Sequence, residues 1–254
     1  IVDRASKNPF DNINFNSFES EPTAGLNTIL ENLRKAKTDK NIKGIYMELS
    51  TINTGIATVE EIRNALIDFK KSGKTIISYS EVYTQKSYYL ASVADKIYMN
   101  PQGAMELKGL GAEIMFYKGL LDKIEVETQV IRHGRFKSAV EPFILDKMSN
   151  DNRLQTRGFM QSIWNFMLNN IATSRKLSFE ELNTLTNNFS IREPEDAIKY
   201  KLVDKLVYKD EVLEELKTLT GITKKDENPQ LITLSKYSKS PSSEKKSLKD
   251  DQIA

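Results

Sequence analysis

Apolar positions set a clear rhythm from Pro22 onward. Leu26, Ile29, Leu30 and Leu33 fall at i, i+3, i+4 and i+7, the spacing of one buried helix face. Residues 41–50 follow as a strand, with Ile42, Ile45, Met47 and Leu49 around Gly44. Thr58 then reads as the cap of a second helix, with Glu61 placed as in a capping box. Ile62, Leu66 and Phe69 line its apolar face, and Gly73 ends it. Lys74–Ser80 is a strand through Thr75-Ile76-Ile77, Ser87–Ala94 a short helix, and Lys96–Asn100 a strand closed by Pro101-Gln102-Gly103. Residues 104–114 predict a strand pair, 115–123 a helix, and 124–132 a strand rich in Val and Ile.

The pattern then becomes more helical. Residues 150–176 form the longest amphipathic helix, with Leu154, Phe159 or Met160, Trp164, Met167, Leu168 and Ile171 on its apolar side. Helices near 178–186 and 193–201, a strand over Leu202–Tyr208 and a helix over 210–219 complete the folded part. Residues 5–21 are polar and read as a loop. Residues 224–250 have the Lys-, Ser-, Asp- and Pro-rich composition of a linker, with Leu231–Leu234 as a strand. Helices alternating with short β-branched runs predict an α/β domain with largely parallel pairing over 1–222, followed by a linker over 223–254.

Composition narrows the chemistry. Lys and Arg number 37 against 35 Asp and Glu, so the net charge exerts no general pull toward nucleic acid or anionic lipid. With no cysteine, disulfides and thiolate metal sites are excluded, and the lone His133 removes His-rich metal schemes. No cofactor or metal is expected. No apolar run reaches the ~20 residues of a membrane span. The abrupt ends, Ile1-Val2-Asp3-Arg4 and Gln252-Ile253-Ala254, read as interrupted strands, so a membrane anchor is expected upstream.

The stretch richest in chemistry is Val130-Ile131-Arg132-His133-Gly134-Arg135-Phe136-Lys137-Ser138-Ala139-Val140-Glu141-Pro142-Phe143. A predicted strand ends at a glycine, and Lys137 follows before a proline-stiffened segment. Strand ends in α/β folds face the ligand-binding rim, a position that suits a catalytic group.

This stretch strongly resembles the lysine motif of the signal peptide peptidase A (protease IV) family, in its long form with two tandem domains. Tyr88-Tyr89-Leu90-Ala91-Ser92, Asn100-Pro101-Gln102-Gly103, Tyr117-Lys118 with Leu120-Leu121-Asp122-Lys123, and Lys201-Leu202-Val203-Asp204 are similar to family landmarks in the same order. The resemblance covers nearly the whole chain and is weakest at 5–21 and 223–250. It implies a Clp protease/crotonase-like superhelix of strand–strand–helix units with a helical C-terminal extension. It also implies a serine–lysine dyad built from two domains, with Lys137 as general base and the serine in a following C-terminal catalytic domain. The implied setting is the outer, periplasmic face of a bacterial cell membrane, in a homo-oligomer, a tetramer by resemblance. Signal peptides are the implied substrates.

A free lysine, with pKa about 10.4, cannot accept a serine proton at neutral pH. Burial disfavours the ammonium and lowers that value by several units, and Phe136, Val140 and Phe143 offer apolar surroundings. Aligned on Tyr88, the family's nucleophile position falls on Gln85, which has no attacking oxygen of this kind. Lys86 and Ser87 stand where the family has glycines, and the other oxyanion turn is reduced to Asn53-Thr54-Gly55. This chain is therefore expected to be inactive alone.

Each sharp reading has a plainer rival. Gly134, Ser138, Glu141 and Pro142 shape the Lys137 loop more naturally than they react. Ser87 reads as a helix cap, and His133 as structural at a strand end. Trp164 suits a core or a subunit interface, and the Lys-rich tail suits a solvated linker. Two alternative functions remain: a noncatalytic substrate-groove and assembly domain, or a crotonase-like enzyme acting on an acyl-CoA.

Overall fold

The structure, a computed structural model, describes residues 24–222 and 228–241, which divide into two compact units. The loop expected over 5–21 lies outside the described residues. The first unit holds residues up to Leu107 and from Phe189 onward; the second is Lys108–Asn188.

The first unit is built on a four-stranded sheet in the order β1 (Gly44–Glu48), β2 (Thr75–Tyr83), β3 (Lys96–Met105), β4 (Lys205–Leu206), every pair parallel. Parallel neighbours need crossover helices. Here α2 (Ile56–Lys70) links β1 to β2, and α3 (Gln85–Ala91) links β2 to β3. Helix α1 (Leu26–Thr38) packs on α2. Residues Ile76 through Ser80 of β2 are all buried, as a strand covered on both faces requires. On one face Ile77 and Tyr79 join Tyr98, Val207 and, from α9 (Lys209–Thr220), Val212 and Leu216. Two aspartates start the strands: Asp95 accepts from the Ile76 N–H at 2.8 Å, and Asp204 from the Ile97 N–H at 2.7 Å. The Tyr88 hydroxyl donates to the Leu202 carbonyl at 2.7 Å, tying α3 to the chain entering β4.

Several expectations change. Thr58 is not a cap: α2 starts two residues earlier with Gly55 as its cap, and Thr58 is buried inside the helix. The Pro101-Gln102-Gly103 turn is part of β3, which runs on to Met105, and no strand pair forms over 104–114. The strand over 202–208 shrinks to the two residues of β4.

Leu231–Leu234 is no strand. Thr233 instead caps α10 (Leu234–Ser238), which packs on α1. Lys35 donates to the carbonyls of Tyr237 (2.8 Å) and Ser240 (2.6 Å), with its ammonium 4.1 Å from the Tyr237 ring centroid. The buried Tyr237 donates its hydroxyl to Asp39 at 2.9 Å.

The second unit contains α4 (Lys118–Lys123), α5 (Glu141–Ile144), α6 (Asn150–Arg175) and α7 (Phe179–Asn187). Trp164, Met167, Leu168 and Ile171 of α6 are buried and Leu182 of α7 is fully so, which accounts for the packing of α6 on α7. Leu154 and Phe159, expected on the same side, are more than half exposed. Helix α8 (Pro194–Lys199), back in the first unit, packs on β3 and β4.

Candidate active site

Lys137 stands on the loop between α4 and α5 of the second unit, with an exposed side chain. The strand expected before it does not form: residues 124–133 lie outside any helix or strand, with Ile124 and Ile131 exposed. Their β-branched alternation supplies propensity, but a strand is stabilised by cross-strand partners. Among the described residues nothing forms a ladder with this segment.

The loop is shaped locally instead. Gly134 adopts φ +102°, a backbone region that suits glycine. The turn closes where Arg132 donates to the Lys137 carbonyl oxygen at 3.2 Å. Next, the Glu141 N–H donates to the Ser138 carbonyl at 3.0 Å, starting α5. Pro142 falls in the first turn of α5, where its missing N–H costs nothing. Its carbonyl accepts from the Tyr117 N–H at 2.6 Å, and the Tyr117 ring stacks on Phe143. An open cleft of about 530 Å³ lies beside Lys137, lined in part by Ile131, Arg132, His133, Phe136 and Val140. Thus His133 is an exposed cleft residue rather than a structural one at a strand end.

Glu141 is the buried polar group of the loop. Its carboxylate accepts from the Ser149 hydroxyl (2.6 Å), the Ser149 N–H (3.1 Å) and the Asn152 amide (2.9 Å). Burial pushes its pKa up, yet these hydrogen bonds and nearby Arg132 win and hold it below the ordinary glutamate range. Two residues before Lys137, Arg135 donates from Nε and Nη2 to both oxygens of Asp151 at 2.7–2.9 Å. That guanidinium holds Asp151 below its usual range. Ser149, Asp151 and Asn152 escaped the sequence reading. The signal available was Ser149 as a helix cap with an acid in the first turn.

Gln85 lies in the first unit, as the first residue of α3. Thr84, not Ser87, caps this helix: the Ser87 N–H donates to the Thr84 hydroxyl. Ser87 is fully buried and donates its own hydroxyl to the Thr84 carbonyl at 3.0 Å, so it is no open nucleophile. Lys86 reaches the Thr54 carbonyl at 2.9 Å. The start of α3 is thus tied to the Asn53-Thr54-Gly55 turn. Among the described residues, no group of three or more His, Asp or Glu gathers to hold a metal ion.

The sequence profile of peptidase family S49 matches residues 68–223, a span that includes Gln85, Lys137 and Glu141. The chain belongs to this family. The parallel sheet with its crossover helices is the α/β, Clp protease/crotonase-like fold of S49 peptidases. The chain is 36% identical over 220 residues to Protease 4 of Salmonella typhi, covering 83% of this chain and 35% of that protein. It is 30% identical over 213 residues to the chloroplastic serine protease SPPA of Arabidopsis thaliana, covering 84% of this chain and 31% of that one. An Enterococcus faecium protein named for signal peptide peptidase SppA is 25% identical over 195 residues, 76% of this chain and 56% of its own length. The chain thus spans about a third of the first two relatives.

Proposed function

We propose that this chain is the base-bearing part of a signal peptide peptidase, with Lys137 as general base for a serine supplied by another part of the complete protein. The observation that carries the reading is the Gly134–Phe143 motif, which sets Lys137 at the rim of an open cleft. Gln85 meanwhile occupies the position where a nucleophile is expected.

In this reading the neutral lysine takes the serine hydroxyl proton as the oxygen attacks the peptide carbonyl. It then gives that proton to the departing amine. Water repeats the sequence on the acyl-enzyme, releasing the acid. A lysine works this way only when desolvated. Lys137 is exposed here, so a covering surface from the rest of the protein completes the site. Phe136 and Phe143, both 44% exposed, are apolar surface that such a cover would bury.

The same reading has the complete protein as a homo-oligomer, a tetramer by resemblance, at the outer face of a bacterial membrane. Among the described residues no helix is long and apolar enough to cross a membrane.

In the full-length protein, Lys137→Ala is expected to abolish peptide cleavage while leaving assembly intact; retained turnover removes Lys137 from this role. The isolated chain is expected not to label with a serine-reactive phosphonate. Labelling that disappears in Ser87→Ala would place a nucleophile in this chain after all.

A further inference from the structure

We propose that the first turn of α6 is the positioning platform for Lys137, gripping its loop on both sides of the lysine. The proposal deepens the general-base reading and rests on it. Arg135, two residues before Lys137, is held by Asp151 through bidentate hydrogen bonds. Glu141, four residues after, is held by Ser149 and Asn152. All three partners fall within four consecutive residues, from the cap Ser149 to Asn152. One rigid element therefore fixes both ends of a seven-residue segment, 135–141, that carries the lysine and has no strand to support it.

The two grips differ in kind. Arg135 and Asp151 form a planar fork on the outside, which sets direction. Glu141 is buried, and its partner Ser149 uses one hydroxyl in two ways: it donates to Glu141 and accepts from the Asn152 N–H at 3.1 Å. The carboxylate also lies at a helix N-terminus, where negative charge is favoured. Asn152 is fixed in turn, with its side-chain Oδ1 accepting from the Thr156 hydroxyl at 3.2 Å. Arg132 completes the frame from within the loop by donating to the Lys137 backbone carbonyl.

A catalytic base must be held to a fraction of an ångström, because misplacement by about 1 Å costs on the order of a hundredfold in rate. Arg135, Glu141, Ser149, Asp151 and Asn152 are therefore positioning residues for Lys137, none of them meeting the substrate themselves.

The test uses the full-length protein, with cleavage of a fluorogenic peptide followed across pH, and thermal melting as the check on folding. Glu141→Gln and Asp151→Asn keep size but remove charge. Each is expected to lower kcat about tenfold or more with KM little changed. Each is also expected to displace the pH limb that reports deprotonation of the base. The swap pair Arg135→Asp with Asp151→Arg is expected to recover most of the loss caused by Arg135→Asp alone. A merely structural role would lower the melting temperature and the active fraction but leave that limb in place, and this result overturns the proposal. So does wild-type kcat with a wild-type limb in both charge-removing variants. Retained turnover in Lys137→Ala sinks the general-base reading itself. An inactive Lys137→Ala beside fully active clamp variants sinks the platform alone.

Discussion

The contact between α10 and α1 offers the sharpest stability prediction, because its few bonds can be removed one at a time. Replacing Tyr237 by Phe deletes the hydroxyl that donates to Asp39 at 2.9 Å. A hydrogen bond to a charged group contributes about 1.5–3 kcal/mol. Asp39 is only half-buried and also accepts from the Asn41 N–H, so solvent reduces the loss to about 1 kcal/mol. That is about a fivefold rise in the opening constant. Tyr237→Ala removes more. The ring is buried to 7% exposure, and losing ~150 Å² of contact at ~25 cal/mol per Å² costs about 4 kcal/mol. The Lys35 ammonium over the ring adds about 0.5–1 kcal/mol. A helix of five residues has no stability of its own, so α10 should detach while the sheet stays folded. Hydrogen exchange reads this directly at the Tyr237, Lys239 and Ser240 amides, each donating to a carbonyl within the α10 turn. Tyr237→Phe should lower their protection about fivefold, and Tyr237→Ala should remove it, with amides of β2 unaffected. The contact also has a pH signature. The Asn41 N–H and the Tyr237 hydroxyl hold Asp39 below its ordinary value. The contribution is therefore fully present above the ordinary aspartate pKa of about 3.9 and fades as pH falls through the lower folded value. Wild-type amides without protection, or a Tyr237→Ala protein that exchanges like wild type, would refute the reasoning.

Three further substitutions test the packing. Leu168 is fully buried in α6, so Leu168→Ala should cost about 3–4 kcal/mol in a urea melt. Phe159→Ala on the exposed side of the same helix should stay within about 0.5 kcal/mol in this chain; equal effects would contradict the observed helix face. At Gly103 an added Cβ would collide with the Glu81 carbonyl oxygen and lie 2.9 Å from that of Asn100, both rigid backbone. Gly103→Ala should cost about 2–3 kcal/mol, and an unchanged urea midpoint would show that β2 and β3 can spread beside the irregular register at Ser80 and Val82.

The parts of the fold legible in the sequence were those marked by a helical period or by a short apolar run. Leu26, Ile29 and Leu33 marked α1, the Ile76–Ile77 pair marked β2, and Trp164 through Ile171 marked the buried half of α6. The failures came where the decisive contact is distant. Residues 124–132 have the residues of a strand, but a ladder is a property of two segments and none meets it among the described residues. Leu231–Leu234 has the same apolar content. It is Thr233 as a cap and the Lys35 and Asp39 contacts to Tyr237, about 200 residues away in sequence, that favour α10. Cap assignments failed for a subtler reason. Thr58 and Ser87 are good capping types, but Gly55 and Thr84 stand three residues earlier, and both candidates fall inside buried helical turns.

For the candidate site, the family resemblance pointed to Lys137 and Gln85, while the support around the lysine became visible only in three dimensions. Glu141 looked like a loop-shaping residue; the structure adds what it shapes the loop against. An isolated buried carboxylate would be costly, and the three donors from Ser149 and Asn152 turn that cost into a fixed geometry. The same logic explains why the lysine itself is left exposed in this chain. A loop already anchored at Arg135 and Glu141 needs no packing over Lys137 to hold its shape. In the proposed reading, an apolar cover over Lys137 can then arrive from elsewhere without first having to order the loop. Geometry is then held by this chain, and desolvation is supplied in that reading by the surface that covers it.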